Sequence, residues 1–257
     1  MKLLNVKNPY NAPVYYEETV SSTMDRARVL AGQDEPCGTV IATDFQEAGR
    51  GRGSRSWETE RGKNLIFTIL LRSGGLESAP EALSLRTGLA VSAAVAELLP
   101  SLSGAIKVKW PNDIMLGSRK IAGILVEQDA KNIYIGIGVN VAQREFPAEL
   151  KSRAGSIIQA FPGLDDNVRF ALLEKILLHL YNEIEKPDAE PGSWRERLTR
   201  RLYKKGETVF FAPGAADSDQ LIEGTLSGLG PRGELLIIPK GEKTEHVFVT
   251  GELKVYE

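Results

Sequence analysis

Between Ile106 and Val141 the chain alternates β-rich runs with short polar breaks, and that spacing restricts how the runs can pair. The runs are Ile106–Trp110, Asp113–Leu116, Lys120–Glu127 and Ile133–Val141, divided by Pro111-Asn112, by a Gly117-Ser118 turn and by a polar turn at Asp129–Lys131. A two-residue turn joins antiparallel neighbours, so an antiparallel meander is predicted here. Two more β-rich runs, Thr39–Phe45 and Asn64–Arg72, enclose a long loop, and Val14–Val20 reads as a short strand. Helices are predicted over Ser22–Ala31, stopping at Gly32, over Ala79–Leu99, over Asn167–Lys186 and over Ser193–Leu202. Ser22 and Asp25 stand at capping-box spacing. The helix over 79–99 is apolar almost all round and belongs behind a sheet, whereas the one over 167–186 puts Leu172, Leu173, Ile176, Leu177, Leu180 and Ile184 on one face. From Gly206 onward short strands alternate with Gly, Pro and Asp, as in a small β-barrel of about 50 residues. A boundary near Lys204 therefore divides the chain into 1–204 and 205–257, and the first part is expected to stay soluble alone.

The loop between the two β-rich runs carries Arg50, Arg52 and Arg55 among glycines and ends on Trp57. Glycine removes side chains where a backbone must curl round a guest, and each guanidinium offers a fork of donors that fits carboxylate or phosphate. An anion-closing loop, an RGG-type RNA-binding segment and a solvated basic loop all share this composition. Net charge separates them in part: 32 Lys+Arg against 34 Asp+Glu give −2, so no field over the whole protein attracts nucleic acid or anionic lipid. One cysteine and two histidines leave little for a disulfide or a zinc site. No apolar leader and no run of roughly 18 apolar residues is present, which points to a cytoplasmic protein with no membrane partner.

Three further strings carry chemistry. Lys109-Trp110-Pro111-Asn112-Asp113 breaks a strand with a proline and two turn-forming residues, and reads equally as a structural turn or a site. Lys120 enters the next strand near Gly123, either as a gatekeeper on a sheet edge or as a point charge aimed into a cleft. Gly136-Ile137-Gly138-Val139-Asn140 puts two glycines inside a strand, which marks a bulge or a close approach. Ser22-Thr23-Met24 opens a helix, where free amides and hydroxyls gather, although capping alone accounts for Ser22.

In this order, the Ser-Thr helix start, the GRGR loop with its downstream Trp, KWPND, K-x-A-G-I-L-x-E and GxGxN, followed by a small β-barrel, closely resemble the biotin-protein ligases, also called holocarboxylase synthetases. The resemblance covers about residues 14–257. It implies an α+β fold, with a mixed sheet and helices similar to class II aminoacyl-tRNA synthetases followed by an SH3-like barrel. It also implies a two-step reaction: biotin and ATP give biotinyl-5′-AMP, and a lysine of a biotin carrier protein, such as that of acetyl-CoA carboxylase or another biotin-dependent carboxylase, then takes the biotinyl group.

By the same resemblance Ser22, Thr23, Met24, Gln46, Gly49, Arg50, Gly51, Arg52, Lys120, Gly123 and Leu125 contact biotin. Arg50, Arg55, Trp57, Asn112 and Asn140 surround the nucleotide, and Lys120, Arg52 and Asp113 lie at the reacting groups. Joining a carboxylate to the α-phosphate of ATP brings like charges together, so fixed cations are required, and Mg²⁺ to hold the leaving pyrophosphate. Arg50, Arg52 and Lys120 meet the first need; no residue is assigned to the metal. A glycine loop that orders over a hydrolysable anhydride explains both its arginines and its flexibility. Met24 replaces the Asn of many relatives, and Gly53-Ser54 stand where others have Arg-Gly. Only about a dozen residues precede the first strand, so a DNA-binding module is not expected and a monofunctional ligase is. A homodimer through sheet edges is an expectation of the family. The alternatives are a lipoate-protein ligase, which shares an analogous lysine, a non-catalytic biotin or adenylate sensor, and a nucleic-acid binder.

Overall fold

A computed structural model describes residues 1–73, 82–165, 168–186, 191–214 and 221–254. Eight strands form the main sheet: β1 (Lys2–Leu3), β2 (Val14–Val20), β3 (Val40–Gln46), β4 (Leu65–Arg72), β5 (Ile106–Lys109), β6 (Asp113–Leu116), β7 (Arg119–Gln128) and β8 (Asn132–Val139). Their order across the sheet is β1-β2-β3-β4-β8-β7-β6-β5. The predicted meander is thus present as four antiparallel neighbours, from β8 out to β5. One pair is parallel, β2 with β3, because helix α1 (Thr23–Gly32) carries the chain back between them. The mixed sheet follows from that single crossover.

Strand alternation decides what each face meets. Val40, Ala42, Ile69, Leu71, Ile133 and Ile135 share one apolar cluster with α2 (Leu83–Leu98) and α4 (Arg169–Glu185). Ile41, Leu70 and Tyr134, one residue out of step, join Met24, Ala27 and Leu30 of α1 on the other face. In α4 the predicted stripe holds, with Leu172, Leu173, Ile176, Leu177 and Leu180 buried and Ile184 packed at its margin. Each such side chain contributes roughly 1.5–3 kcal/mol by leaving water. Residues 79–81 of the predicted second helix and Asn167 of the next lie outside the described residues. The short helices α3 (Ile157–Ala160) and α5 (Trp194–Arg201) complete the helical set among those residues, and Ser193 and Glu196 form a capping box on α5.

The capping box predicted for α1 does not form. Ser22 is its N-cap and accepts from the Met24 N–H at 3.2 Å, but Asp25 turns outward to a bidentate pair with Arg50. Lys120 is not on a free sheet edge either, since it pairs with Met115 of β6 on one side and bridges to Ala154 on the other, and the gatekeeper reading falls.

The C-terminal strands β9 (Thr208–Pro213), β10 (Ile222–Leu229), β11 (Leu235–Pro239), β12 (His246–Phe248) and β13 (Gly251–Lys254) make a five-stranded antiparallel sheet in the order β12-β11-β10-β9-β13. The change of pattern near Lys204 is a change of secondary structure without a break in the core. Phe211, Leu226, Leu235 and Ile237 belong to the same apolar cluster as α2 and β5. Trp110 is the pin: its ring lies 6.0 Å from that of Phe211, and its indole N–H donates to the Gly233 carbonyl at 3.0 Å.

Candidate active site

The floor of the site follows from the parity of β8. Tyr134 faces α1, and the next two positions on that face are Gly136 and Gly138, so the packed layer gives way to a trough. Across the sheet Ile66, Gly138, Gly123, Asp113 and Lys109 are successive cross-strand partners, a single row from β4 to β5. Partners in such a row share one face. A methyl group at Gly138 would come within 2.5 Å of the Trp57 ring, one at Gly123 within 2.9 Å, and one at Gly136 within 3.0 Å of the Met24 sulfur. The β7–β8 register runs unbroken past these glycines, so they serve close approach and not a bulge.

The start of α1 and the end of β3 wall the trough. Gln46 Oε1 accepts from the Thr23 N–H at 2.8 Å and from Thr23 Oγ1 at 2.9 Å, and Thr68 Oγ1 donates to Thr23 Oγ1 at 2.8 Å. This buried chain orients Gln46 and leaves its Nε2 without a partner among the described residues. The arginine loop closes the opposite side as a short hairpin. Arg50 pairs with Ser56, Gly51 N–H donates to the Arg55 carbonyl at 2.7 Å, and Trp57 N–H donates to the Gly49 carbonyl at 3.0 Å.

Two ion pairs pin this hairpin. Arg50 holds both Asp25 oxygens, and its hydrogen bonds keep that carboxyl below the usual carboxylate range. Arg55 holds both oxygens of Glu252 on β13, at 2.9 and 2.6 Å. Burial alone would raise Glu252, but Arg55 and Lys254 outweigh it and hold it down at about 2. With Arg50 and Asp25 both about half exposed, their pair is worth about 0–1 kcal/mol, weak enough to be exchanged for an incoming anion. Arg52 also lines the trough and makes no side-chain hydrogen bond or ion pair with the described residues.

Beyond the trough lies a second chamber. Met115, Phe146 and Leu150 give it apolar wall, and Arg153 and Lys254 give it charge. Asn140 donates to the Gly155 carbonyl at 2.9 Å while its Oδ1 stays buried and unpartnered, an acceptor in that chamber's wall. The two chambers share Arg55, Ser56, Trp57, Lys109, Asp113, Lys120 and Glu252. At this junction Lys120 Nζ stands 2.6 Å from Asp113 Oδ1 and 5.4 Å from the centre of a Trp57 ring. The β6–β7 register shifts beside it, with Ile121 the extra residue on β7, a device that re-aims side chains. Burial pushes the Lys109 ammonium below the usual lysine range.

Ser22, Thr23, Met24, Gln46, Arg50, Gly51, Arg52, Lys120, Gly123 and Leu125, all expected at biotin, do line the trough. Gly49 lines neither chamber; it is a glycine because a methyl there would lie 2.6 Å from the Trp57 carbonyl. Asn112, expected at the nucleotide, lies with the trough and donates to the Ile124 carbonyl at 2.8 Å. Asn140 lies in the second chamber, and Arg55, Trp57 and Asp113 at the junction. The reading missed Glu252, Phe146 and Arg153, for which no local signal exists, and passed over Lys109. The hairpin through Asp113 could have found Lys109, since it puts both on one face. Among the described residues no group of three His, Cys, Asp or Glu could hold a metal ion by itself, and no helix is long and apolar enough to cross a membrane.

Both the sequence and the fold have known relatives. The model of the biotin/lipoate A/B protein ligase family covers residues 16–140. A biotin–acetyl-CoA-carboxylase ligase of Mycobacterium tuberculosis is 34% identical over 194 residues, 74% of this chain and 71% of that protein. The chain belongs to this family, among its biotin protein ligases. The bifunctional ligase/repressor BirA of Bacillus spizizenii is 37% identical over 171 residues, and the match spans 63% of this chain and about half, 51%, of that longer protein. Among solved structures, the biotin protein ligase of Aquifex aeolicus in complex with biotin and ATP is similar over 94% of this chain and 97% of its own, with a TM-score of 0.76 at 29% identity.

Proposed function

We propose that the protein is an ATP-dependent biotin–protein ligase that activates biotin as biotinyl-5′-AMP and passes the biotinyl group to a lysine of a carrier domain, such as the carrier subunit of acetyl-CoA carboxylase. The observation that carries this reading is the shared wall of the two chambers, where Lys120, Asp113, Arg55 and Lys109 meet. The trough walled by Ser22, Thr23, Met24 and Gln46 takes the biotin ring and the second chamber takes the nucleotide. Biotin's carboxylate and the α-phosphate then meet at the junction.

In the first step a carboxylate oxygen bonds to the α-phosphorus while the bond to pyrophosphate breaks and its electron pair leaves with pyrophosphate. Negative charge builds on the phosphoryl oxygens, and cations fixed beforehand stabilise it without reorganising. Asp113 orients Lys120 for that task, and Arg52, lacking a partner of its own, turns to the same anion. In the second step the carrier's amine attacks the acyl carbon and AMP leaves. Until then the loop and Trp57 keep water from the anhydride. Magnesium suits this donor set if it arrives on the nucleotide's phosphates, sharing Asp113 or Glu252, and it would neutralise the leaving pyrophosphate.

The test is incubation with ATP, Mg²⁺, biotin and a biotin carrier domain. One lysine of the carrier should gain the mass of one biotinyl group, and pyrophosphate exchange into ATP should require biotin. Exchange supported by lipoate in place of biotin would overturn the reading in favour of lipoate ligation, and biotin binding without exchange would make the protein a sensor.

A further inference from the structure

Lys109 stands in the shared wall but was given no step of its own, and it is the one lysine that is buried among the described residues, 8% exposed. It makes no side-chain hydrogen bond or ion pair with them. Asp113, its cross-strand partner, gives its carboxylate to Lys120, and Glu252, the other nearby acid, is held by Arg55 and Lys254. Lys120 and Arg55 add repulsion. A largely buried ammonium without a hydrogen-bond acceptor is costly, and Asp113 and Glu252 offset that cost only through space, so an acceptor entering the chambers would be favoured. The residue lines both chambers, so the missing partner lies at their junction.

We infer that Lys109 is a phosphate-binding residue, whose ammonium donates to the non-bridging oxygens of the nucleotide's α-phosphate at the junction of the two chambers. The inference rests on the ligase reading of the same site. Lys109 would act as a fixed charge and exchange no proton. It faces the phosphoryl group while the carboxylate–phosphorus bond forms and the bond to pyrophosphate breaks. Lys120, ion-paired to Asp113, and Lys109, its cross-strand neighbour, would then both face the phosphate.

Lys109→Met keeps the buried stem and removes the charge. Ligand-free Lys109→Met should melt higher than the wild type, because the buried ammonium without an acceptor is gone. Its biotin-dependent pyrophosphate exchange should fall by about a hundredfold, the usual loss for one preorganised donor. Stabilisation by ATP in a thermal melt should shrink as well, while biotin affinity without ATP stays within threefold. A variant that melts lower and loses exchange together would make Lys109 a core residue and overturn the inference. So would one with wild-type exchange and a wild-type response to ATP. If the wild type itself neither exchanges pyrophosphate nor gains stability from ATP, the ligase reading falls and takes this inference with it.

Discussion

Lys120 and Arg52 line the same trough with different supports, so their replacement should fail differently. Lys120 is held at 2.6 Å by Asp113 and sits over the Trp57 face, a preorganised charge. Lys120→Ala should slow adenylation by about a hundredfold, roughly 3 kcal/mol of transition-state stabilisation, with the melting temperature little changed. Pyrophosphate exchange within threefold of the wild type would remove Lys120 from the reacting groups. Arg52 lies on the hairpin without such a support, and Arg52→Ala should weaken retention of biotinyl-AMP more than its formation. The escaping adenylate would label bystander proteins, which a streptavidin blot reads out; a blot showing labelled carrier alone would count against a retaining role. Residues whose partners lie nearby in sequence were legible from it. The glycines of β8 were legible through their unsuitability for a strand interior, whereas Thr23 and Gln46, 23 positions apart, came only with the family resemblance. Glu252 was not, because its partner Arg55 lies 197 positions away and nothing near Glu252 distinguishes it from any other strand glutamate. Asn112 was assigned to the nucleotide, yet its amide is engaged by Ile124 on the trough side.

At the scale of elements, the meander was readable because turn chemistry is local, while the parallel β2–β3 pairing depends on α1 packing across the sheet, which periodicity does not encode. The arginine hairpin was expected as a loop that orders over a ligand; it carries its own cross-strand bonds and is tied to β13 through Arg55 and Glu252. That tie has a pH signature. Glu252 drops from an ordinary 4.5 to about 2 in the folded protein, so its contribution is fully present above 4.5 and is lost as pH falls through about 2. Because Arg55 is half exposed, the pair is worth at most about 1 kcal/mol, or about 2–4 °C in a chain of this size. Glu252→Gln should melt below the wild type at pH 7, and the gap should close between pH 4.5 and pH 2 to 3. A gap that stays constant across that window would show that the charge of Glu252 has no part in it.

For the whole molecule, the boundary near Lys204 was legible as a change of pattern, but independence of the two parts does not follow from it. Phe211, Leu226, Leu235 and Ile237 are buried in the cluster that also holds β5, and Trp110 bonds to Gly233. Cutting away 206–257 would uncover Trp110 and Leu85 and remove several contacts worth roughly 1.5–3 kcal/mol each. The fragment 1–205 should therefore aggregate or lose its cooperative melt, against the soluble unit that the pattern alone suggests. A truncated protein with a sharp melt and full carrier biotinylation would show that the C-terminal sheet is dispensable.

The Arg55–Glu252 pair also sets a timetable for biosynthesis. The trough begins at Ser22 and its junction closes with Glu252, so the first and last described stretches of the chain meet at one point. A nascent chain emerging from the ribosome can pair β3 with β4 early, but the shared wall of the two chambers is incomplete until β13 has emerged. A chain interrupted by premature termination before Gly251 would lack that wall of both chambers.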